Sequence, residues 1–147
     1  MGSQYAYAPK TPPGVSIDAN VKEAREYAAS HSRAEVYQWF YDSVKNGARW
    51  DFKQLGSEYQ EFGNYHYGVI GNALEIPEQV LLRAAGWAQY RAGTSELGWG
   101  TFFGCEPYGD DPEDQEWIKR GIRDGIYFDN SFFKLDGSSF RIKSYVD

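Results

Sequence analysis

The 147-residue chain contains one cysteine, one methionine and two histidines. Cys105 therefore has no intrachain disulfide partner, and no Cys/His spacing sets up a structural zinc. It remains either a nucleophile, with His31 or His66 as base, or a small residue filling a gap, which is the ordinary role of a lone thiol. Positive charge is scarce as well: 15 Lys+Arg stand against 21 Asp+Glu, a net charge of -6 and a pI near 4.9. That balance opposes tight, salt-driven binding to a phosphate backbone, although a local basic patch could survive it. Long apolar runs are missing and the mean hydropathy is -0.65, so no membrane span is expected. No basic segment leads into an apolar one, so no secretion signal of its own is expected either. No glycine-rich phosphate loop precedes a helix.

Aromatic side chains, in contrast, are plentiful: 18% of the chain, with 12 Tyr, 9 Phe and 5 Trp. They supply core volume and can also form flat platforms for bases or sugar rings. Hydrophobic residues at 41% and charged residues at 24% describe one globular domain with a single core. Residues 1–16, with Pro9, Pro12, Pro13 and Gly14, are expected to be a disordered lead-in carrying an expression scar. Residues 17–147 then form a single domain.

Asp18 can cap a first helix running to about Ser30, with Val21, Ala24 and Ala28 on one face. Ser32-Arg33-Ala34-Glu35 is a capping box that opens a second helix, closed at Asn46-Gly47. From Phe62 to Asn72, three glycines within nine residues alternate with aromatics and polar groups. Glycine at that density implies tight turns, so a short β-hairpin after a helical turn is expected there. Pro77 opens a helix from Glu78 to Arg91, and Gly93 closes it. Residues 94–109 read as a long irregular loop, which in a compact domain is usually functional. Asp111 and Pro112 start a further helix with Trp117, Ile118 and Ile122 on its core face. The tail alternates from Phe132 to Tyr145 around Asp136-Gly137, a second hairpin signal. The expected fold is thus α+β: a single, mostly helical domain with a short glycine-rich β-hairpin and a C-terminal hairpin.

Two chemistries fit the residues between Asp51 and Asn72. Glycoside hydrolysis needs a proton donor and normally a second carboxylate. Glu61, Asp51 and Glu58 are the candidates, because a carboxyl set against Trp50, Tyr59 or Phe62 would be desolvated and its pKa raised. Asn64, Tyr65, His66, Tyr67 and Asn72 would line the sugar site. RNA cleavage by 2′-OH attack instead needs a base, an acid and a cation, which His66, Glu61 or Glu58, and Lys53 could supply. The plainer alternative makes Glu58 and Glu61 solvated helix-end acids, Asp51 a turn cap and His66 a strand-surface residue. Asp110, Asp111 and Asp114 could ligate a hard cation, but capping and the helix dipole account for them without one. No metal or other cofactor is expected.

The stretch Tyr59-Gln60-Glu61-Phe62-Gly63-Asn64-Tyr65-His66-Tyr67-Gly68-Val69-Ile70-Gly71-Asn72 resembles the hairpin of phage-type lysozymes, with its glycines differently spaced and Asp51 as the acid nearest that family's proton donor. Over a longer span, four segments in order resemble the polymorphic toxin type 44 domain. They are Trp50-Asp51-Phe52-Lys53-Gln54, then Phe62 to Gly68, then Leu81 to Gln89, then Pro107 to Ile118. That domain sits at the C-terminal tips of Rhs and other secreted interbacterial effectors. The resemblance implies an antibacterial toxin delivered by a larger carrier and neutralised by a cognate immunity protein. It marks Asp51, Lys53, Asn64 and Asp110 to Asp114, with Glu61 at an acidic position of the same motif. A peptidoglycan hydrolase of lysozyme-like mechanism, acting in the target periplasm, is the favoured expectation. A ribonuclease in the target cytoplasm is the alternative, and a non-enzymatic partner-binding domain the third.

Overall fold

The computed structural model describes residues 9–128, which form five α-helices joined by short 3-10 turns. They are α1 (Ile17–Ser30), α2 (Arg33–Val44), α3 (Gln60–Ala73), α4 (Glu78–Arg91) and α5 (Pro112–Asp124). Ser16, rather than Asp18, caps α1, its hydroxyl accepting from Ala19 N at 3.1 Å. The expected capping box of α2 is formed in both directions between Ser32 and Glu35. Pro77 sits at the cap of α4, and Asp111 caps α5 by accepting from Glu113 N at 2.8 Å. Ahead of α1, Pro12 is fully buried and Lys10 pairs with Glu58 at 2.7 Å.

The expected β-hairpin is not present. Its residues belong to α3, and no strand occurs among the described residues, so the described fold is helical and not α+β. The C-terminal hairpin expected over residues 132–145 lies outside the described residues. Phe62, His66, Val69, Ile70 and Ala73 recur at helical spacing and are all buried. Each helical glycine costs about 0.5–1 kcal/mol relative to alanine. Burying each large apolar side chain returns about 1.5–3 kcal/mol, which outweighs that cost.

The glycines make close approach possible rather than turns. A Cβ on Gly68 would run into the carbonyl of Ile118, and one on Gly121 into the carbonyl of Tyr65. A Cβ on Gly71 would strike the Leu81 side chain. The α3 and α5 backbones thus touch with no side chain between them. Gln60 meets Asp114 at the helix starts, and Asn72 lies against Gly125 just past the end of α5. The two helices therefore run parallel. A parallel pair needs a crossover, here α4 and the long loop after it. The core lies around α3, with Val21 and Ala24 of α1, Val36 and Phe40 of α2, and Trp117 of α5 packed about it.

Candidate functional site

Parallel pairing puts the N-termini of α3 and α5 at one end of the molecule, and a group of carboxylates gathers there. Asp110 is buried; its Oδ1 accepts from Asp111 N at 2.9 Å and its Oδ2 from Gln115 Nε2 at 2.7 Å. Gln115, also buried, donates as well to the carbonyl of Leu82 at 3.2 Å, and its Oε1 has no partner. Asp114, half-buried, accepts from Gln60 Nε2 at 3.3 Å.

Burial raises the Asp110 carboxyl above its ordinary range, against the hydrogen bonds from Gln115 and Asp111 that favour the charged form. Asp114 is pushed up to about 6, chiefly by burial and then by the negative charges of Asp110 and Asp111. Two helix N-termini would by themselves hold a carboxylate ionised. Burial and like charge prevail over the dipoles here.

Lys53, exposed on the 3-10 turn Phe52–Leu55, acts on both carboxyls by its charge and draws them back down. That turn lies over the start of α3, with Lys53 N and Phe52 Cβ each 3.9 Å from where a Cβ on Gly63 would sit. Asn64, one turn after Gln60, donates to the Gln60 carbonyl at 3.2 Å. Tyr67 continues the same face; its hydroxyl donates to the Leu81 carbonyl at 2.8 Å and is raised by burial and by the Asp110 charge. Lys53, Asn64, Tyr67, Asp110, Asp111 and Asp114 are thus brought to one end of the α3–α5 pair.

The other sequence candidates sit elsewhere or are engaged locally. Asp51 accepts from Gly47 N at 2.9 Å and closes the turn after α2. Glu58 is exposed in its ion pair with Lys10, and Glu61 is exposed in the first turn of α3. Tyr65 points away from the carboxylates; its hydroxyl donates to Asp124 Oδ2 at 2.9 Å, while burial and that contact raise its pKa. Asn72 packs on Gly125 at the far end. Cys105 is exposed in the long loop, and His31 stacks on Tyr27 of α1 at 3.6 Å between ring centroids.

His66 is 1% exposed in a box of Trp50, Phe52 and Phe62, whose centroids lie 4.9–5.6 Å from its own. Asn20 Nδ2 donates to its Nε2 at 3.0 Å, which leaves the ring proton on Nδ1, where no partner is found. Burial, helped by the charge of Arg49, lowers its pKa to about 3. At neutral pH this ring is uncharged and sealed from substrate.

A hollow of about 470 Å³ between α1 and α2 is lined by Glu23, Tyr27, Glu35, Trp39, Asp42 and Arg49 among others. Its charged groups answer one another: Glu23 pairs with Arg49 at 2.9 Å, Asp42 with Lys45 at 3.1 Å, and Glu35 completes the α2 cap. Tyr27 is stacked between His31 and Trp39. No ring face of Tyr27 is open to a ligand.

Gln60 and Gln115 are the site residues that reasoning from sequence passed over. Gln60 was detectable as the residue one helical turn before Asn64, once that stretch is read as helix. Among the described residues, no three His, Cys, Asp or Glu side chains could hold a metal ion, and no helix is long and apolar enough to cross a membrane. Neither a curated protein nor a solved structure matches the chain. The family of Bacterial toxin 44 does match, over residues 19–126, a span that takes in α2 to α5, all but the first two residues of α1, and the whole carboxylate end of the α3–α5 pair. The chain belongs to that bacterial toxin family.

Proposed function

We propose that this toxin domain is a hydrolase of peptidoglycan glycan strands, with Asp114 as the proton donor. The observation that carries the reading is the half-buried Asp114 carboxyl, hydrogen-bonded to Gln60 and held beside Asp110, with its pKa near 6. A carboxyl that holds its proton up to about pH 6 can deliver it to a glycosidic oxygen. Asp111, half-buried and close enough for its charge to act on Asp114, is the second carboxylate, balancing positive charge at the anomeric carbon. Lys53, Asn64 and the exposed Glu61 form the rim that meets the sugar. In this reading Asp51 and Glu58 serve structure.

Charge distribution favours a glycan over RNA. Between residues 51 and 116 the chain carries twelve Asp and Glu against three Lys and Arg. At the carboxylate end itself Asp110, Asp111 and Asp114 stand against Lys53, so an approaching phosphate backbone meets net negative charge there. The ribonuclease alternative also loses its base, since His66 is sealed from substrate and, with its pKa lowered to about 3, takes up a proton poorly. Acting on glycan strands, the toxin works in the target periplasm after delivery by a larger carrier, and its immunity protein protects that compartment.

Purified domain incubated with sacculi is expected to release muropeptides with new reducing ends, and Asp114→Asn to abolish the release. Expression with an export signal is expected to kill, and expression without one to be tolerated. Intact sacculi together with degraded RNA and killing from the cytoplasm would replace this reading with the ribonuclease.

A further inference from the structure

The loop between α4 and α5 contains a costly conformation. Tyr108 has φ +61°, in the left-handed region, and Gly109 follows at φ +84°. A bulky aromatic residue stays in that region only when its surroundings over-determine it, and such strain gathers at functional sites. Asp110 is the next residue, so this turn sets the backbone from which its buried carboxylate reaches Gln115 and Asp111 N.

Arg83 on α4 is the hub that holds the turn. Its Nη1 donates to the carbonyls of Phe102 and Gly104, both at 3.1 Å, and its Nε to Gln79 Oε1 at 3.3 Å. The guanidinium lies over the Tyr108 ring, 4.5 Å from the centroid. The Tyr108 hydroxyl donates to the same Gln79 Oε1 at 3.2 Å. Gly86, one helical turn after Arg83, leaves the gap that the Tyr108 carbonyl fills; a Cβ there would run into that oxygen. Ser95 Oγ donates to the Gly109 carbonyl at 2.6 Å, and Gly109 N to the Trp99 carbonyl at 2.7 Å. Arg83 thus ties two loop carbonyls, a side-chain amide and one aromatic face to a single rigid helix.

We infer that Arg83 is a positioning residue for the toxin's chemistry: through Tyr108 it fixes the left-handed turn that sets Asp110 beside Asp114. This rests on Asp114 being the proton donor. The groups facing Asp114 are Asp110 and Asp111 at its own end, Gln60 from α3 and Lys53 from the 3-10 turn. Arg83 is not among them, so it acts through the loop and not by its own charge. Releasing the loop lets the Asp110 backbone shift against its Gln115 contact, and the repulsion and dryness that raise the Asp114 pKa both weaken.

The test is a pH titration of the Asp114 side-chain carboxyl by NMR in the full chain, comparing wild type with Arg83→Met. The midpoint is expected to fall by about one pH unit. The upper limb of the pH profile for sacculus cleavage is expected to move down with it. Direct loss of a nearby cation would raise a carboxyl pKa, so the sign separates the two effects. Arg83→Lys keeps the charge and the stem but cannot bridge both carbonyls; a smaller fall is expected, and this variant serves if Arg83→Met does not fold. An unchanged or raised midpoint in a folded variant overturns the inference. If the midpoint falls but no variant, nor wild type, cleaves sacculi, the clamp stands and the proposed function fails.

Discussion

His66 and Asp114 are two titratable groups drawn out of water, one among aromatic rings on the α1 side of α3 and the other at the start of the α3–α5 pair, and burial drives each toward its neutral form. The histidine falls to about 3 and the carboxyl rises to about 6. Their surroundings differ in kind. His66 is enclosed by three aromatic rings, has one hydrogen-bond partner and has no path to solvent. Asp114 keeps a wet side, two like charges behind it and a lysine in front. Desolvation alone makes a silent group. Desolvation with an exit and a neighbouring charge makes one that can exchange a proton at working pH.

Replacing each residue should separate the two roles. Asp114→Asn is expected to cut glycan cleavage by about 10²–10⁴-fold, as for loss of a general acid, with the melting temperature unchanged or higher. His66→Ala is expected to do the opposite. It opens a cavity and strands the Asn20 amide, at a cost of about 2–4 kcal/mol by urea denaturation, while the folded fraction keeps its specific activity. A large activity loss in folded His66→Ala would end the comparison.

The pH dependence of stability sharpens it further. Below its ordinary pKa near 6.5, His66 takes up a proton more readily when unfolded. Its contribution is therefore complete above pH 6.5 and declines toward pH 3, with a slope of up to about 1.4 kcal/mol per pH unit. Asp114 has the opposite sign. Its folded form holds the proton more tightly, so its contribution is complete below the ordinary pKa of 3.8 and is lost as pH rises through 6. Between pH 4 and 6 the two slopes oppose each other. Denaturation of Asp114→Asn across that range is expected to fall more steeply with acid than wild type, and a matching curve would count against the shift at Asp114. The smallest effect is expected at Glu58. Breaking its exposed pair with Lys10 by Glu58→Gln should leave the urea midpoint and cleavage indistinguishable from wild type.

The parts of the fold with local causes were legible before any coordinates. Ser32 and Glu35 form a reciprocal cap, Asp111 and Pro112 start α5, and Gly93 ends α4 with a positive φ. What failed was Phe62 to Asn72, where glycine among aromatics has two meanings. Gly68 and Gly71 would mark turns if nothing lay against them. They are packing glycines because Ile118 and Leu81 do, and that depends on residues as much as 50 positions away. The carboxylate end shows the same division. Asp110, Asp111 and Asp114 stood out as a cluster, but the largest cause of the Asp114 shift is burial, which depends on the parallel pairing of α3 with α5. Asp51, next to Trp50 in the chain, was an expected catalytic acid where Asp114 was not, yet its carboxylate accepts from Gly47 N.

The seam of Gly68 and Gly121 has a consequence for how insertions would be tolerated. With backbone against backbone, α3 cannot slip or roll without a collision, so it behaves as a keyed shaft. One residue inserted after Asn72 adds length beyond the key and leaves Gln60 facing Asp114. One residue inserted between Asn64 and Tyr65 turns everything before it by about 100°, carrying Gln60 and Asn64 off the carboxylates while the seam stays shut.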